Sequence, residues 1–351
     1  MSAASGLPLQ SFEVEGYRAI RHLRLPDLAR VNLFVGRNNA GKTSLLEAVR
    51  LYASAGSMSV LSEIIRAQSG IGESSSSGVR RTAADVERSF DTARSLFNAA
   101  HQEPCETITL GPADAPADRL RIWLEAAGSG AGSEPTVRLE RGGQSRQIPL
   151  TLLLSGTTVR PWSAGVPAES VPAQGVESER LGELWSRAVE TGRVPLVEDA
   201  LRVLIPDLER IYLIGSEAAP RFAIKIRDIP RPVLVNAEGR GVQRWFGIAL
   251  AFVAAEGGVL LIDQVDAALH HWAQGEVWET IFALAERLNL QVFATTHSWD
   301  AVAGFQYGAS RSSATGLLYR LDVRQGGGMI YGMRYTAEEV VIAVEQQIEV
   351  R

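Results

Sequence analysis

Eight consecutive residues, Gly36-Arg37-Asn38-Asn39-Ala40-Gly41-Lys42-Thr43, restrict what this chain can fold into more than any other feature. They match G-x-x-x-x-G-K-[ST], and the flanks give the pattern its meaning. Val31-Asn32-Leu33-Phe34-Val35 reads as a buried strand, and Thr43 to Ser54 carries Leu45, Leu46, Val49 and Tyr52 at helical spacing. A strand, a glycine-rich turn and a helix start make a phosphate-binding loop. Its glycines let backbone N–H groups wrap a β-phosphate, and the helix N-terminus adds positive potential. Lys42 would bridge β- and γ-oxygens and Thr43 would ligate Mg2+, while Arg37, Asn38, Asn39, Ala40, Gly41 and Ser44 complete the expected nucleotide contacts. Lys42 stands out further because Lys225 is the only other lysine; the remaining basic residues are arginines.

Two later segments belong with this loop. Gly258-Val259-Leu260-Leu261-Ile262-Asp263 is an apolar run ending in an acid, the form of a buried parallel strand that delivers a carboxylate to Mg2+. Gln291-Val292-Phe293-Ala294-Thr295-Thr296-His297 is a second such strand, closing on a histidine at the sheet edge where ligands bind, which suits a γ-phosphate sensor. Gly239 and Gly241 introduce the apolar helix Val242 to Ala254, whose start can offer backbone N–H groups to a phosphate. His270 and His271 with Asp263 and Asp266 do not read as a metal cluster, since adjacent histidines point apart on either regular element.

The rest of the chain frames these motifs. Leu9 to Val14 and Ile20 to Leu25 read as a meander; residues 58 to 103 look mostly helical around the Gly/Ser tract Gly70 to Gly78. Thr107 to Leu110, Leu120 to Leu124, Val137 to Leu139 and Ile148 to Leu153 read as antiparallel strands, and Pro161 to Pro172 as a loop. Leu181 to Leu204 has helical periodicity, and Ile211 to Leu213 and Phe222 to Ile226 return to strand. Beyond Asn236 the expected order is helix, strand, helix, strand, then a hairpin turning at Gly326-Gly327-Gly328 and a final helix from Ala337. Trp245 to Ile262 is long and apolar enough to suggest a membrane span, but Glu256-Gly257-Gly258 interrupts it, so a buried helix, a turn and a buried strand are expected. A net charge of −5 excludes a global field for nucleic acid, so any DNA contact must be local; the Arg18, Arg21, Arg24 and Arg80, Arg81, Arg88 groups read as solvated faces. The single Cys105 excludes an intrachain disulfide and, with no secretory signal pattern in Met1 to Gln10, points to the cytoplasm.

With these residues assembled, the chain resembles ABC-type ATPases of the SMC, RecF and OLD (overcoming-lysogenization-defect) kind, in particular small standalone ones. The resemblance rests on Phe12 to Ile20, Asn38 to Thr43, Gly239 to Arg244, Leu261 to His270, Phe293 to Asp300 and Ile348 to Arg351. It implies an α/β P-loop NTPase of ABC type, a mixed sheet with an antiparallel β-meander plus helical and β insertions. The corresponding division is an N-terminal lobe with Walker A over 1–57, a helical insertion over 58–105, a β-rich and helical lobe over 106–235, and a C-terminal lobe over 236–351. It further implies ATP and Mg2+ as cofactors, and a homodimer or higher oligomer in which each ATP lies between the Walker A loop of one subunit and the signature Gly239/Gly241 of the other. Asp263 then ends Walker B, Asp266 to His270 form the D-loop, and His297 is the switch histidine. No Q-loop glutamine stands out; Gln68 and Gln102 are the candidates.

Two departures qualify the resemblance. The family's Walker B pair is Asp-Glu, and here it is Asp263-Gln264. An amide can hold the attacking water but cannot take its proton, so a general-base factor of ~10²–10⁴ is expected to be lost. The signature has Ala237 for the usual serine and Arg240 where an acid is common. Gln264 is then either a natural device that makes ATP a slow clamp or a substitution introduced to trap ATP. No acid cluster of a TOPRIM nuclease follows, so a separate effector, such as a TOPRIM-type nuclease, is the expected partner. DNA is a candidate ligand, and no membrane is implied. By analogy the resemblance suggests an ATPase that switches its effector in anti-phage defence or DNA maintenance. A non-hydrolysing nucleotide-gated scaffold and a RecF-like repair ATPase are the alternatives.

Overall fold

The computed structural model describes residues 6–69, 90–91, 93–97, 107–126, 134–154, 165–216, 219–323 and 329–346. Cys105, Gln102, Arg80, Arg81, Arg88, the Gly70 to Gly78 tract, the Gly326-Gly327-Gly328 turn and Ile348 to Arg351 lie outside them. The side chain of Gln68 does too, so neither Q-loop candidate is placed.

A six-stranded sheet organises the fold. Its order is Ile330–Tyr335, Gly316–Val323, Val31–Val35, Gln291–Thr295, Val259–Ile262 and Ala168–Val171. All but Ile330–Tyr335 run parallel. Val31–Val35, Gln291–Thr295 and Val259–Ile262 are buried along their whole length, which is why they read as unbroken rather than alternating apolar runs. The sheet separates two cores. Leu33, Val35, Leu260, Ile262, Val292 and Ala294 face the signature helix Arg240–Ala254 and the helix Gln274–Arg287. Phe34, Leu261 and Phe293 face the Walker A helix Lys42–Ala53 and a second sheet. Phe34 stacks between Phe293 at 6.2 Å and Tyr319 at 5.9 Å.

That second sheet is wholly antiparallel, in the order Ile20–Leu25, Phe12–Tyr17, Thr107–Gly111, Leu120–Glu125, Thr136–Arg141, Gln144–Pro149. A third, of Val233–Leu234, Ala219–Ile226 and Leu208–Ser216, packs beside the signature helix. The apolar passage around Trp245 resolves into the helix Arg240–Ala254, a turn and the strand Val259–Ile262.

Five local readings need correction. The first strand is Phe12–Tyr17, because the Leu9 backbone is claimed by the Gln291 side chain through bonds of 3.0 and 2.8 Å. Ile148 to Leu153 is not one strand: pairing ends at Pro149, which lacks an N–H, and Leu150–Leu154 turns into a helix. The passage Pro161 to Pro172 contains the edge strand Ala168–Val171, paired with Val259–Ile262. A helix, Trp299–Ser310, intervenes between His297 and the C-terminal hairpin. The signature helix also starts at Arg240, with Gly241 already inside its first turn.

Candidate functional site

The C-terminal ends of three adjacent parallel strands gather the predicted residues at one edge. Val31–Val35 leads into the glycine-rich loop, Val259–Ile262 into Asp263, and Gln291–Thr295 into His297. The loop's shape depends on glycine at two points. Gly36 has φ 144°, and a Cβ there would lie 2.2 Å from the Leu321 carbonyl oxygen; Gly41 has φ 82°, and a Cβ would lie 2.6 Å from Ile330 Cδ1. Gly41 takes the cap position of the helix Lys42–Ala53, whose first N–H groups therefore face the loop. Arg37, Asn38 and Asn39 are exposed on the loop, while Ala40 and Ser44 are buried beneath it.

Lys42 is buried, and its Nζ donates to the Gly36 carbonyl at 2.7 Å and the Arg37 carbonyl at 2.9 Å, with His297 Nδ1 at 3.3 Å. Burial pulls its pKa down to about 8, against the opposing pull of Asp263. Burial and then the Lys42 charge hold the His297 imidazole below its ordinary value. A neutral ring beside an ammonium is the arrangement in which a polyphosphate would find one cation already aimed and one proton donor or acceptor ready to reorient. Thr43 Oγ1 donates to Asp263 Oδ2 at 3.0 Å, so the two predicted Mg2+ ligands are adjacent. A hydroxyl and a carboxylate, both oxygen donors at the mouth of a phosphate loop, fit that hard cation.

Residues not assigned from sequence hold this arrangement. Thr295 donates its hydroxyl to Asp263 Oδ1 and accepts from the Gln264 backbone N–H at 2.8 Å. Thr296 donates to Asp266 and accepts from the Ser298 N–H at 2.9 Å. Arg244, buried in the signature helix, donates to the carbonyls of Pro172 and Ala173, both at 2.8 Å, and of Asp263 and Gln264. The helix that begins at the signature is thereby tied to the loop that ends Walker B. Two adjacent threonines closing a buried strand were the available signal for the first pair; nothing local marked Arg244, whose partners are backbone oxygens.

Gln264 has φ 52° and an exposed side chain beyond Asp263, so a left-handed turn aims it away from the strand. Gly241 abuts the segment expected to form the D-loop, where an added Cβ would meet the Ala268 carbonyl oxygen at 2.5 Å. Gly239 has φ 101° and open space where a Cβ would be. Phosphate loop, Asp263 and His297 thus converge within the chain, whereas the Gln264 side chain and Gly239 lie exposed beside them.

The comparisons agree with this architecture. Residues 205–303 match the family model described as "AAA domain, putative AbiEii toxin, Type IV TA system". A solved Smc head, in complex with the C-winged helix domain of ScpA, aligns over 95% of this chain and 99% of its own at TM-score 0.52 and 12% identity. The fold is therefore that of an ABC-type ATPase head of the SMC kind. Over 47 residues the chain is 40% identical to the uncharacterized protein MJECL10 of Methanocaldococcus jannaschii, covering 13% of this chain and 22% of that one. Over 43 residues it is 51% identical to the DNA replication and repair protein RecF of Thioalkalivibrio sulfidiphilus, 12% of each chain. The matches thus span about a fifth and an eighth of these relatives' lengths. Among the described residues no helix is long and apolar enough to cross a membrane.

Proposed function

We propose that this chain, built on the SMC-type ABC ATPase head, binds Mg·ATP on the loop Gly36 to Thr43 and uses it to close a homodimer that switches a partner protein. The observation that carries the reading is the convergence of Lys42, Thr43, Asp263 and His297, with Lys42 Nζ 2.7 Å from the Gly36 carbonyl and Thr43 3.0 Å from Asp263. Lys42 would meet the β- and γ-oxygens, exchanging two loop carbonyls for phosphate. Thr43 and Asp263 would hold Mg2+, which supplies charge neutralisation between the phosphates when bound. His297, already beside Lys42, would turn to the γ-phosphate. The contacts of Arg37, Asn38, Asn39, Ala40, Gly41 and Ser44 follow from their place on the loop.

Closure is assigned to the signature. Gly239 is open to solvent and Gly241 rests on the D-loop, so a phosphate offered by a second copy could reach the N–H groups of this helix start. Gln264, at the position of the water-activating acid, can orient water but cannot accept its proton, so turnover is slow and the closed state long-lived. The partner is a separate effector, by analogy a nuclease of TOPRIM type, and the setting is anti-phage defence or DNA maintenance. The local identity to RecF supports a repair ATPase as the second reading.

The test measures particle size with and without Mg·ATP, together with phosphate release, on this chain and on Gln264→Glu. ATP-dependent dimerisation and turnover faster by roughly 10² or more in Gln264→Glu are expected. ATP binding with no turnover in either form would replace hydrolysis by a nucleotide-gated scaffold.

A further inference from the structure

The three-stranded sheet beside the signature helix has an inner face that is packed and an outer face on which Arg210, Tyr212, Ile214 and Arg221 are exposed around the buried Ala223. In the hairpin of Leu208–Ser216 and Ala219–Ile226, the register places Arg210 opposite Lys225, Tyr212 opposite Ala223 and Ile214 opposite Arg221. Alternation puts these residues on one face, and Ile211, Leu213, Phe222 and Ile224, which join the core, on the other. Among the described paired residues the outer face holds two arginines, a lysine, an aromatic and an aliphatic side chain, and no acid; Glu209, exposed beside Arg210, sits unpaired in the ladder at the bulge.

Each part of this pattern is unfavourable for an isolated molecule. Like charges directly opposed across a ladder, as Arg210 and Lys225 are, cost stability, and Lys225 relieves this only in part by donating to the Ile226 and Ile229 carbonyls. Tyr212 and Ile214 are 45% and 46% exposed, side by side on the same strand. Arg210 and Arg221 form no ion pair or hydrogen bond with the described residues, whereas Arg202 and Arg227 nearby pair with Asp199 and Asp207. A chain of net charge −5 has thus kept a patch that is locally cationic and apolar at once. Anion binding alone would account for the arginines but not for Ile214. A nucleic-acid strand would use further rings as stacking platforms, and this face offers one.

We infer that the outer face of this hairpin docks an acidic segment of a partner protein, whose carboxylates meet Arg210 and Arg221 and whose apolar residues lie over Tyr212 and Ile214. Charge complementarity selects the partner, and the exposed aromatic supplies the buried anchor of the contact. The inner face gives the site a connection. Phe222 packs edge-on to Phe246 of the signature helix at 4.8 Å and to Trp185 at 5.5 Å. A ligand on one side of the hairpin therefore bears on the helix that starts at Gly239. Binding at the face does not depend on the proposed ATP switch; only its consequence does.

The experiment pans a random twelve-residue peptide display library on the full chain, with counter-selection on the Arg210→Glu, Arg221→Glu double variant. A pool of random single-stranded oligonucleotides runs in parallel. Enrichment of peptides combining Asp or Glu with apolar residues is expected. The best peptide should lose roughly tenfold or more in affinity on the double variant and roughly fivefold on Tyr212→Ser. ATP binding, measured on the same variants, should be unchanged, which separates failure here from failure of the nucleotide site. All three positions are exposed, and thermal melts establish that the variants fold. Failure to enrich acidic peptides, equal binding by the variants, or retention of oligonucleotides in place of peptides would overturn the inference.

Discussion

Lys42 shows how one side chain sets both the strength and the pH window of ligand capture. Burial lowers its pKa to about 8, so as pH rises through that value the unliganded site loses its cation. Phosphates favour the ammonium and restore the proton. Below about pH 8 the lysine is already charged and capture of Mg·ATP is not coupled to its proton; above it, capture takes up a proton and affinity falls, by up to about tenfold per pH unit. Calorimetry in buffers of different ionisation enthalpy should show net proton uptake at pH 9 and none from this group at pH 7, and Lys42→Met should remove the difference. The nearness of loop, acid and histidine is legible in the sequence, because these are chemistry-bearing residues at the ends of apolar runs. The role of Arg244 is not. Its partners Pro172 and Ala173 lie some seventy positions upstream and contribute only carbonyls, which every residue has.

At the level of elements, the misses share a cause: tertiary packing overrode local preference. The helix Trp299–Ser310 contains Gly304 and Gly308, poor helix formers that sequence reasoning discounts. They are there for contact, since a Cβ on Gly304 would lie 2.7 Å from Trp278 Cδ1, and one on Gly308 would lie 2.8 Å from the Trp278 backbone. The strand Ala168–Val171 is equally quiet in sequence, four residues preceded by proline, and is held by its neighbour. Gly258 permits that pairing: a Cβ there would fall 1.9 Å from the Pro167 carbonyl oxygen. Gly258→Ala is therefore expected to cost about 1–3 kcal/mol, read as a lower urea midpoint with unchanged slope. The long antiparallel sheet was legible because its strands alternate and its turns carry Gly, Pro and Asp.

For the whole molecule, the separation between what converges and what does not is itself informative. The phosphate loop and Asp263 meet within one chain, but Gly239 faces open space, so on the proposed reading a second copy would complete the enclosure. Gly239→Asp, which sets a carboxylate where a second copy's phosphate would dock, is expected to leave ATP binding within about twofold and to abolish ATP-dependent dimerisation in sedimentation velocity, the rest of the loop being untouched. The central sheet carries a consequence of another kind. Phe34 belongs to one hydrophobic cluster and its neighbours Leu33 and Val35 to the other, so the same five-residue strand is the floor of both. Neither half can melt without stripping one side of that strand. In scanning calorimetry the chain should therefore absorb heat in one peak, with van't Hoff and calorimetric enthalpies equal. Mg·ATP should move that peak upward without splitting it, as a rivet through two plates raises the load at which they part but leaves them failing together.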